Sequence, residues 1–432
     1  MANILLWPDL YREHGHWLPA VNLAKSLKDA GHTVNFMGIV DCESIVSPYL
    51  AGQASFFPIF ESIYPAGHTV EDKIEPIGHR WKPEHLLPLI GGALDGIFTG
   101  PSRPDLLVSG YFNSLETLLI HHKYDIPFVT LTTYLRHPQE TPDSFALMKL
   151  LYLSRPLQVR LLTGVGVDPD AVELEDFVAP LQPTAHPELI PCARDFDFFD
   201  EDWEHGPGVT YVEPMIRRLA LDGSDPVEVP TSDATQIFHP IPSNKKLIYA
   251  TSGSQVSDYE DKARQFFKSL IAMMKLQGLE DYHLVLAMGD KLLSEFRIAY
   301  GLDAAEIDDS FPENVTIASW VSQQEIMDQT KVAFIHGGLA TIKEAIWSGV
   351  PIVILPHGKD QLENALRIER SGVGILPETQ NADANELKRL MTLALSSGWV
   401  KGRVAQMQGL FRGLDDLSPK PSVNIIEDVL SA

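Results

Sequence analysis

Short apolar runs rich in Val and Ile alternate with helix-like patterns along most of this chain. The first run is Ile4–Trp7. In the segment that follows, Ala20, Leu23 and Leu27 fall on one face of a predicted helix. Gly31 is placed to end that helix. Continuous apolar strands separated by helices are typical of a parallel sheet covered on both faces. The pattern therefore predicts an α/β fold built from βαβ units.

The alternation occurs twice, with a break between the two series. In the first half, further strands are predicted at 33–40, 105–109 and 127–132. A segment punctuated by Pro and Ser, residues 222–243, is predicted to be a linker. After it, strands are predicted at 247–251, 283–288, 315–318, 332–335 and 352–355. The chain is thus expected to form two Rossmann-like domains whose parallel sheets face each other across a cleft.

These boundaries define the predicted domain organisation. We expect residues 1–221 to form an N-terminal domain and residues 244–415 a C-terminal domain. Residues 416–432 are expected to form a tail helix, and one possible arrangement is that this helix packs back on the N-terminal domain. Ligands of doubly wound sheets bind beyond the carboxyl ends of the strands, so the functional residues are sought there.

Charge and cysteine content exclude several classes of function. The chain has 34 Lys and Arg against 58 Asp and Glu, a net charge of −24. Such a surface repels phosphate backbones and anionic headgroups, so neither nucleic acid nor a membrane surface is an expected partner. Two cysteines, Cys42 and Cys192, exclude a disulfide framework and favour a cytoplasmic location. No apolar run approaches the roughly 20 residues of a membrane span. We expect a monomer or a homodimer.

Familiar cofactor and catalytic motifs are missing from the sequence. The turn after the first strand, residues 8–16, has no G-x-G-x-x-G fingerprint, which disfavours a nicotinamide or flavin enzyme. The chain also has no P-loop, no H-E-x-x-H and no C-x-x-C pattern. A G-x-S-x-G nucleophile elbow is absent as well. The chemistry must therefore come from other residues.

The most informative stretch places polar residues after three consecutive predicted strands of the second half. After the strand at 332–335 come His336, Gly337 and Gly338, and then a helix. Glycines let backbone N–H groups approach a ligand closely, and a helix N-terminus carries about half a positive charge. The turn therefore suits a phosphate group. His336 and Thr341 could donate further hydrogen bonds there, and Glu344 could accept them from ribose hydroxyls.

Each of these features also has an ordinary structural interpretation. Twin glycines at a strand–helix turn often serve tight packing only. Trp320, which could offer a flat face to a base, could equally be a core residue. Asp360 and Gln361 could be a polar pair at a helix start. It is the combination that favours a nucleotide site.

Together these residues resemble the UDP-glycosyltransferase superfamily, especially its bacterial natural-product branch. The shared pattern is W-x-x-Q, then H-G-G-x-x-[ST]-x-x-E, then G-V-P-x-x-x-x-P-x-x-x-D-Q-x-x-N-A. In the first half, the segment from His14 to Pro19 is similar to the family's G-H-x-x-P opening. The turn from Thr251 to Ser254 is similar to its S-x-G-S turn. The likeness extends over nearly the whole chain except residues 135–210.

The resemblance implies the two-domain GT-B fold, with the donor in the C-terminal domain and the acceptor held mainly by the N-terminal one. By match of motif, Trp320 would stack on the base and Gln323 would bond its edge. Glu344 would hold the ribose. The residues implied for the diphosphate are Ser254, His336 and Thr341 with the amides of Gly337 and Gly338, and those for the sugar are Asp360 and Gln361.

The resemblance further implies that His16 is the general base. An imidazole suits this role because it titrates near working pH and can take the proton of an acceptor hydroxyl. The transfer would be a single displacement that inverts the anomeric centre. His14 is a local rival, and a structural or acceptor-binding role for His16 is the alternative.

One position departs from the family pattern. Residues 103–108 resemble the family's P-D-L-V-V strand. Many members have an Asp at the end of that strand, where it orients the base, and here Gly110 stands in its place. Either another carboxylate reaches His16, or the acceptor is acidic enough, as a phenol or enol is, to need less help. The sequence leaves both possibilities open.

The predicted function is an inverting, metal-independent hexosyltransferase. It would move a sugar from a UDP- or TDP-linked donor to a hydroxyl of a small, largely apolar acceptor. No cofactor and no metal are expected, because the helix beginning near Gly338 offers its dipole and hydrogen bonds to the leaving diphosphate. The alternatives are a GT-B hydrolase or epimerase of nucleotide sugars and a non-catalytic partner protein that binds them.

Overall fold

The computed structural model describes residues 1–67, 82–135, 155–171, 186–198, 208–216, 220–224, 237–238, 240–253, 259–302, 311–378 and 382–432. The chain divides into two compact units. Unit 1 comprises Met1–Arg194, Phe199–Val227 and Leu414–Ala432, and unit 2 comprises Asp195–Phe198 and Glu228–Gly413. Each unit contains a seven-stranded sheet, so the predicted α/β class with two parallel-sheet domains is confirmed.

Unit 1 is built around a fully parallel sheet of strand order β3-β2-β1-β4-β5-β6-β7. Its strands are β1 (Asn3–Trp7), β2 (Thr33–Gly38), β3 (Phe56–Pro58), β4 (Leu106–Gly110), β5 (Phe128–Leu131), β6 (Glu188–Ile190) and β7 (Val209–Tyr211). The strand order reverses between β1 and β4, which are neighbours in the sheet. Such a switch point is where a doubly wound sheet binds its ligand.

The helices of unit 1 contribute apolar side chains to the core that also contains the strands of this sheet. They are α1 (His14–Asp29), α2 (Glu43–Leu50), α3 (Pro83–Pro88), α4 (Asp95–Phe98), α5 (Ser114–Tyr124) and α6 (Arg155–Gly164). In α1, the predicted inner face is buried, with Leu23 and Leu27 fully removed from solvent. Gly31 follows the helix in the left-handed region, at φ 93°, as expected for a residue that ends a helix.

Unit 2 repeats the plan with strand order β14-β13-β12-β9-β10-β11-β8. Its strands are β8 (Ile237–Phe238), β9 (Lys246–Thr251), β10 (Tyr282–Ala287), β11 (Val315–Ala318), β12 (Thr330–Ile335), β13 (Ile352–Ile354) and β14 (Gly374–Ile375). All pairs are parallel except β8 with β11 at the edge. The switch point lies between β12 and β9, and the residues that follow both strands belong to the predicted donor site.

Helices cover the sheet of unit 2 and then return the chain to unit 1. They are α7 (Glu260–Met274), α8 (Gly289–Ala299), α9 (Gln323–Gln329), α10 (Leu339–Trp347), α11 (Gln361–Ser371), α12 (Ala384–Ser396) and α13 (Gly398–Asp415). The last helix, α14 (Pro421–Ser431), belongs to unit 1 and buries Val423 and Ile426 in its core. The backbone N–H of Ser422 donates to Glu213 there, at 3.2 Å.

A short segment from the first half of the chain is part of unit 2. Arg367 on α11 is fully buried, and its Nε donates to Asp197 Oδ1 at 2.6 Å. The same guanidinium lies 4.6 Å from the ring centroid of Phe198. Removing one partner of a buried pair leaves an uncompensated charge, so this contact holds α11 and its first residue, Gln361, in place.

The described helices include none that is long and apolar enough to span a bilayer. The predicted strands all occur within two residues of their expected ends, whereas the sequence pattern missed β3, β6, β7, β8 and β14. Strands of two or three residues are too short to show a recognisable period.

Candidate active site

One group of predicted donor residues is joined by hydrogen bonds beside β9. Gln323, the first residue of α9, donates its amide Nε2 to Glu344 Oε2. The same nitrogen lies 3.4 Å from Thr341 Oγ1. Tyr249 on β9 donates its hydroxyl to Gln323 Oε1 at 2.9 Å. The structure thus brings together the residues expected at the base edge and at the ribose, although they come from different helices.

The predicted phosphate turn lies at the carboxyl end of β12. His336 is buried, and α10 begins at Leu339 with Gly338 as its N-cap and no side-chain cap. A Cβ on Gly338 would lie 2.7 Å from Nε2 of His336, and a Cβ on Gly253 would lie 2.6 Å from it. Both glycines therefore make room for the imidazole, in addition to any space that they leave for a ligand.

Gly337 completes the turn in a backbone conformation that side chains rarely adopt. Its φ is 108°, and a Cβ there would come within 3.0 Å of the Gln361 carbonyl oxygen. Asn364 on α11 donates its Nδ2 to the Gly337 carbonyl at 3.0 Å and lies 2.9 Å from Asp360 Oδ2. The turns after β12 and β13 are therefore linked to one another.

The turn after β13 is organised by Gln361. Its Oε1 accepts the backbone N–H of His357 at 2.8 Å and that of Gly358 at 3.1 Å. Asp360 is the N-cap residue of α11. Desolvation raises the pKa of the Asp360 carboxyl, an effect that the hydrogen bond from Asn364 opposes. Gln361 thus shapes the loop that presents Asp360.

Sequence reasoning did not single out His357, the second imidazole of this site. Its ring centroid lies 6.3 Å from that of His336, and its Nε2 lies 3.3 Å from Ser252 Oγ. Burial lowers the pKa of His336 to about 3, and the neighbouring His357 acts in the same direction. Burial and then the Lys262 ammonium lower the pKa of His357 to about 4. Both rings are therefore neutral at pH 7.

Two predicted donor residues stand apart from these networks. Trp320 follows β11 and is half-buried. Ser254 lies outside the described residues. The pattern that identified the other positions treats residue 357 as variable, so no family signal pointed to His357. Its only signal was its place three residues before Asp360.

In unit 1, the predicted base lies next to a buried carboxylate. His16, in the first turn of α1, has its Nδ1 2.5 Å from Asp9 Oδ2. The Asp9 side chain is 1% exposed and the His16 side chain 18%. The His16 ring stacks on Phe112, with 5.6 Å between ring centroids. Asp9 follows the end of β1 by two residues, and the sequence analysis did not identify it.

The structure also explains why position 110 has no side chain. Gly110 ends β4, directly beside the chain that leaves β1. A Cβ on Gly110 would lie 1.6 Å from the carbonyl oxygen of Pro8. No other amino acid fits without movement of the backbone. Of the two possibilities left open by the sequence, a carboxylate from elsewhere is present beside His16.

Among the described residues, Asp9, Glu13 and His16 are close enough together to be considered as possible metal ligands. Ligand atoms of Asp9, Glu13 and His16 all lie within 4.8 Å of one another. Glu13 Oε2 lies 3.9 Å from His16 Nε2, beyond hydrogen-bond distance. The 2.5 Å contact of Asp9 with His16 Nδ1 is that of a direct hydrogen bond and leaves no room for an ion between these two atoms.

Comparison with known proteins adds independent information on both units. Residues 286–411 match the family model "Erythromycin biosynthesis protein CIII-like, C-terminal domain". This range includes every predicted donor residue except Ser254. The solved structure of CalG4, the calicheamicin glycosyltransferase, has a TM-score of 0.68 at 17% identity and covers 100% of this chain and 98% of its own. The chain therefore has the GT-B fold, and it is similar in sequence to UDP-glycosyltransferases.

Other GT-B structures similar to this chain have been solved with ligands. The spinosyn rhamnosyltransferase SpnG complexed with thymidine diphosphate has a TM-score of 0.63 at 17% identity, with 100% of both chains covered. SpnG complexed with spinosyn aglycone has a TM-score of 0.62 at 16% identity and covers 99% of this chain and 100% of its own. At such identities these likenesses concern the fold.

Curated relatives of this GT-B chain align over shorter segments. A UDP-glycosyltransferase of Talaromyces amestolkiae is 27% identical over 37% of this chain and 31% of its own length. The Bacillus subtilis protein named uncharacterized UDP-glucosyltransferase YdhE is 28% identical over 40% of both chains. The aligned segments thus span less than half of these relatives.

Proposed function

We propose that the chain is a glycosyltransferase that moves a sugar from a nucleoside-diphosphate sugar to a hydroxyl of a small, largely apolar natural-product acceptor. The observation that carries this proposal is the arrangement after β12. A buried imidazole, two glycines and the start of α10 lie at one strand end, linked through Asn364 to the turn that holds Asp360. Backbone N–H groups and a helix dipole at such a place suit a diphosphate.

In this proposal unit 2 holds the donor. Trp320 stacks on the base, and Gln323 bonds its edge while remaining tied to Glu344, which takes the ribose. Ser254, His336 and Thr341 bind the diphosphate with the amides of Gly337 and Gly338, and Asp360 and Gln361 bind the sugar. The similarity of residues 286–411 to an erythromycin-biosynthesis family supports this distribution of roles.

His16 of unit 1 acts as the general base. Because Asp9 engages Nδ1, the proton of the acceptor hydroxyl goes to Nε2. The hydroxyl oxygen forms a bond to the anomeric carbon as the bond from that carbon to the diphosphate oxygen breaks, and the configuration inverts. The electron pair stays on the diphosphate, where the α10 N-terminus and His336 stabilise the charge. We expect no metal ion to be needed for this step.

Thymidine and uridine diphosphate are the first probes, since SpnG was solved with thymidine diphosphate. A nucleotide that binds the folded form raises the melting temperature. At 100 times its Kd it adds about 2.7 kcal/mol to the free energy of unfolding. We expect one of them to do so, and adenosine diphosphate to do so less. The wild-type response is expected to persist in His16→Ala and to be clearly smaller in His336→Ala.

Absence of any response to both nucleotides and to their sugar conjugates would contradict the donor assignment. Mass spectrometry with phenolic and polyketide acceptors then tests the transfer itself. Consumption of donor with no acceptor-linked product would point instead to a nucleotide-sugar hydrolase or epimerase.

A further inference from the structure

We propose that Asp9 is the positioning residue of His16, a role that in this chain has moved from the end of β4 to the segment after β1. The proposal rests on the assignment of His16 as the general base. The contact that supports it is the 2.5 Å approach of Asp9 Oδ2 to His16 Nδ1, made by a carboxylate with a side chain only 1% exposed.

The surroundings of Asp9 leave its charge to be compensated chiefly by the imidazole. Among the described residues, Asp9 Oδ1 is buried and has no hydrogen-bond partner. Arg12, close by in sequence, donates its Nε–H to Ser44 at 3.1 Å. A buried carboxylate that has one principal partner favours the charged form of that partner. Asp9 therefore stabilises the imidazolium that His16 becomes when it takes the acceptor proton.

The contact also fixes which nitrogen does the chemistry. Nδ1 of the neutral imidazole must carry its hydrogen to donate to Asp9, so Nε2 holds the lone pair. Phe112 stacks on the ring, and Asn113 Nδ2 donates to the Trp7 carbonyl at 3.0 Å, which ties the end of β1 to the start of α5. The ring is thus held from two sides.

The packing of β1 against β4 explains why the carboxylate comes from position 9. The Pro8 carbonyl occupies the space that a Cβ on Gly110 would need, so an Asp cannot stand there. The next residue along the chain is Asp9. The close approach of Pro8 to Gly110 therefore excludes a carboxylate at position 110, and the same segment places Asp9 at the strand ends.

An ordinary structural role would look different. Glu13 is the N-cap residue of α1, and the helix has no side-chain cap bond, so Asp9 does not cap it. Among the described residues, the ion-pair contact of Asp9 is with His16 and not with a Lys or an Arg. Its bond is to a ring nitrogen of the predicted base.

The decisive variant is Asp9→Asn, which keeps the shape and removes the charge. We expect kcat to fall by about 10²-fold or more, while the KM for donor and the Kd for thymidine or uridine diphosphate stay within about twofold. The acidic limb of the pH–rate profile should move to lower pH, because the imidazolium loses its stabilising charge. Asp9→Glu should recover part of the activity. Asp29→Asn, an exposed change at the end of α1, is the matched control. It should alter neither kcat nor the pH–rate profile.

A double-mutant cycle separates positioning from stability. His16→Ala combined with Asp9→Asn should be no slower than His16→Ala alone, since Asp9 acts through the base. Additive losses would overturn the proposal, as would an unshifted pH profile in a folded Asp9→Asn protein. If His16→Ala itself retained full transfer, the assignment of His16 as the general base would fail, and the role of Asp9 with it. The proposed function itself would fail if the wild-type protein gave no acceptor-linked product.

A measurement on the wild-type protein covers the case in which Asp9→Asn does not fold. Nitrogen-15 NMR of labelled histidine should show His16 with its hydrogen on Nδ1 in the neutral state and a strongly downfield Nδ1 proton. The opposite tautomer would overturn the proposal. Loss of transfer on dialysis against EDTA, restored by a divalent metal, would also overturn it, since the three groups would then bind an ion.

Discussion

The histidines of the two units have opposite electrostatic surroundings. In unit 1, His16 lies against the Asp9 carboxylate, with Glu13 nearby, so a positive charge on the ring is favoured. In unit 2, His336 and His357 lie near each other and near lysine ammonium groups, so a positive charge is disfavoured. The surroundings, and not the residue type, decide what each imidazole can do.

Under the proposed function, this difference corresponds to two tasks within one reaction. A general base must gain a proton during the chemical step, and a carboxylate partner helps it to do so. A group that binds a diphosphate has to offer an N–H and is held neutral until the anion arrives, when the anion favours the protonated form. Under the proposed function, the two units therefore use the same type of side chain for proton transfer and for anion binding.

The largest expected effects come from removing one imidazole from each unit. His16→Ala should lower kcat by about 10²- to 10⁴-fold and leave the Kd for thymidine or uridine diphosphate unchanged. His336→Ala should raise that Kd by about 10-fold or more, because a hydrogen bond to a charged group is lost. Steady-state kinetics and calorimetric titration measure the two quantities. If both variants changed kcat and Kd to the same extent, the distinction between the two histidines would be wrong.

A second test disturbs unit 1 without touching any histidine. Gly110→Ala should destabilise the protein by about 3 kcal/mol, because the new methyl group meets the Pro8 carbonyl and the backbone must move. Transfer should fall further than stability alone predicts, since Asp9 moves with Pro8. Urea unfolding and kcat give the two readouts.

The control for that variant is Gly402→Ala in α13, where a Cβ would meet nothing within 4 Å. A helix-interior Ala should stabilise by about 0.5–1 kcal/mol. Equal effects at positions 110 and 402 would show that the contact with Pro8 has no energetic consequence.

A third test, with an expected effect smaller than that at Gly110, concerns the pH dependence of stability. The pKa values of His336 and His357 are lowered to about 3 and about 4, so the unfolded chain binds protons below pH 6.5 that the folded protein refuses. Their contribution to stability is complete above pH 6.5 and declines as the pH falls toward 4. At pH 5 the loss is about 2 kcal/mol for each histidine.

Urea unfolding at pH 7 and pH 5 measures this loss. His357→Asn should reduce the difference between the two pH values by about 2 kcal/mol. His16→Asn should not reduce it, because a proton on His16 is favoured in the folded protein by Asp9. A similar reduction in both variants would remove the distinction between the two surroundings.

Much of the fold and of the arrangement of the predicted donor residues followed from local patterns. The strands from β9 to β13 and the start of α10 after Gly338 were predicted because continuous apolar runs and a Gly-Gly turn are visible in one dimension. The clustering of Gln323 with Glu344 agrees with the roles implied by the family resemblance. The role of each of these residues remains a prediction.

Other features had no local signal. His357 occupies a variable position of the family pattern, and only burial beside His336 makes it notable. Asp197 is far from Arg367 in sequence, and no local pattern in either segment predicts their buried hydrogen bond of 2.6 Å. Edge strands of two or three residues were missed for the same reason, since their pairing depends on neighbours that are distant in the chain.

The sequence by itself determined the alternation of strands and helices, the two sheets and the positions at which polar residues follow strands, because these depend on periodicity and on turn residues. The sequence also shows that position 110 is a glycine and therefore carries no carboxylate. Only the tertiary structure decided that Asp9 lies against His16, because that contact results from the closeness of Pro8 to Gly110 across two neighbouring strands. Pairing between strands is a property of the folded sheet, and it determines which side chains meet at its edge.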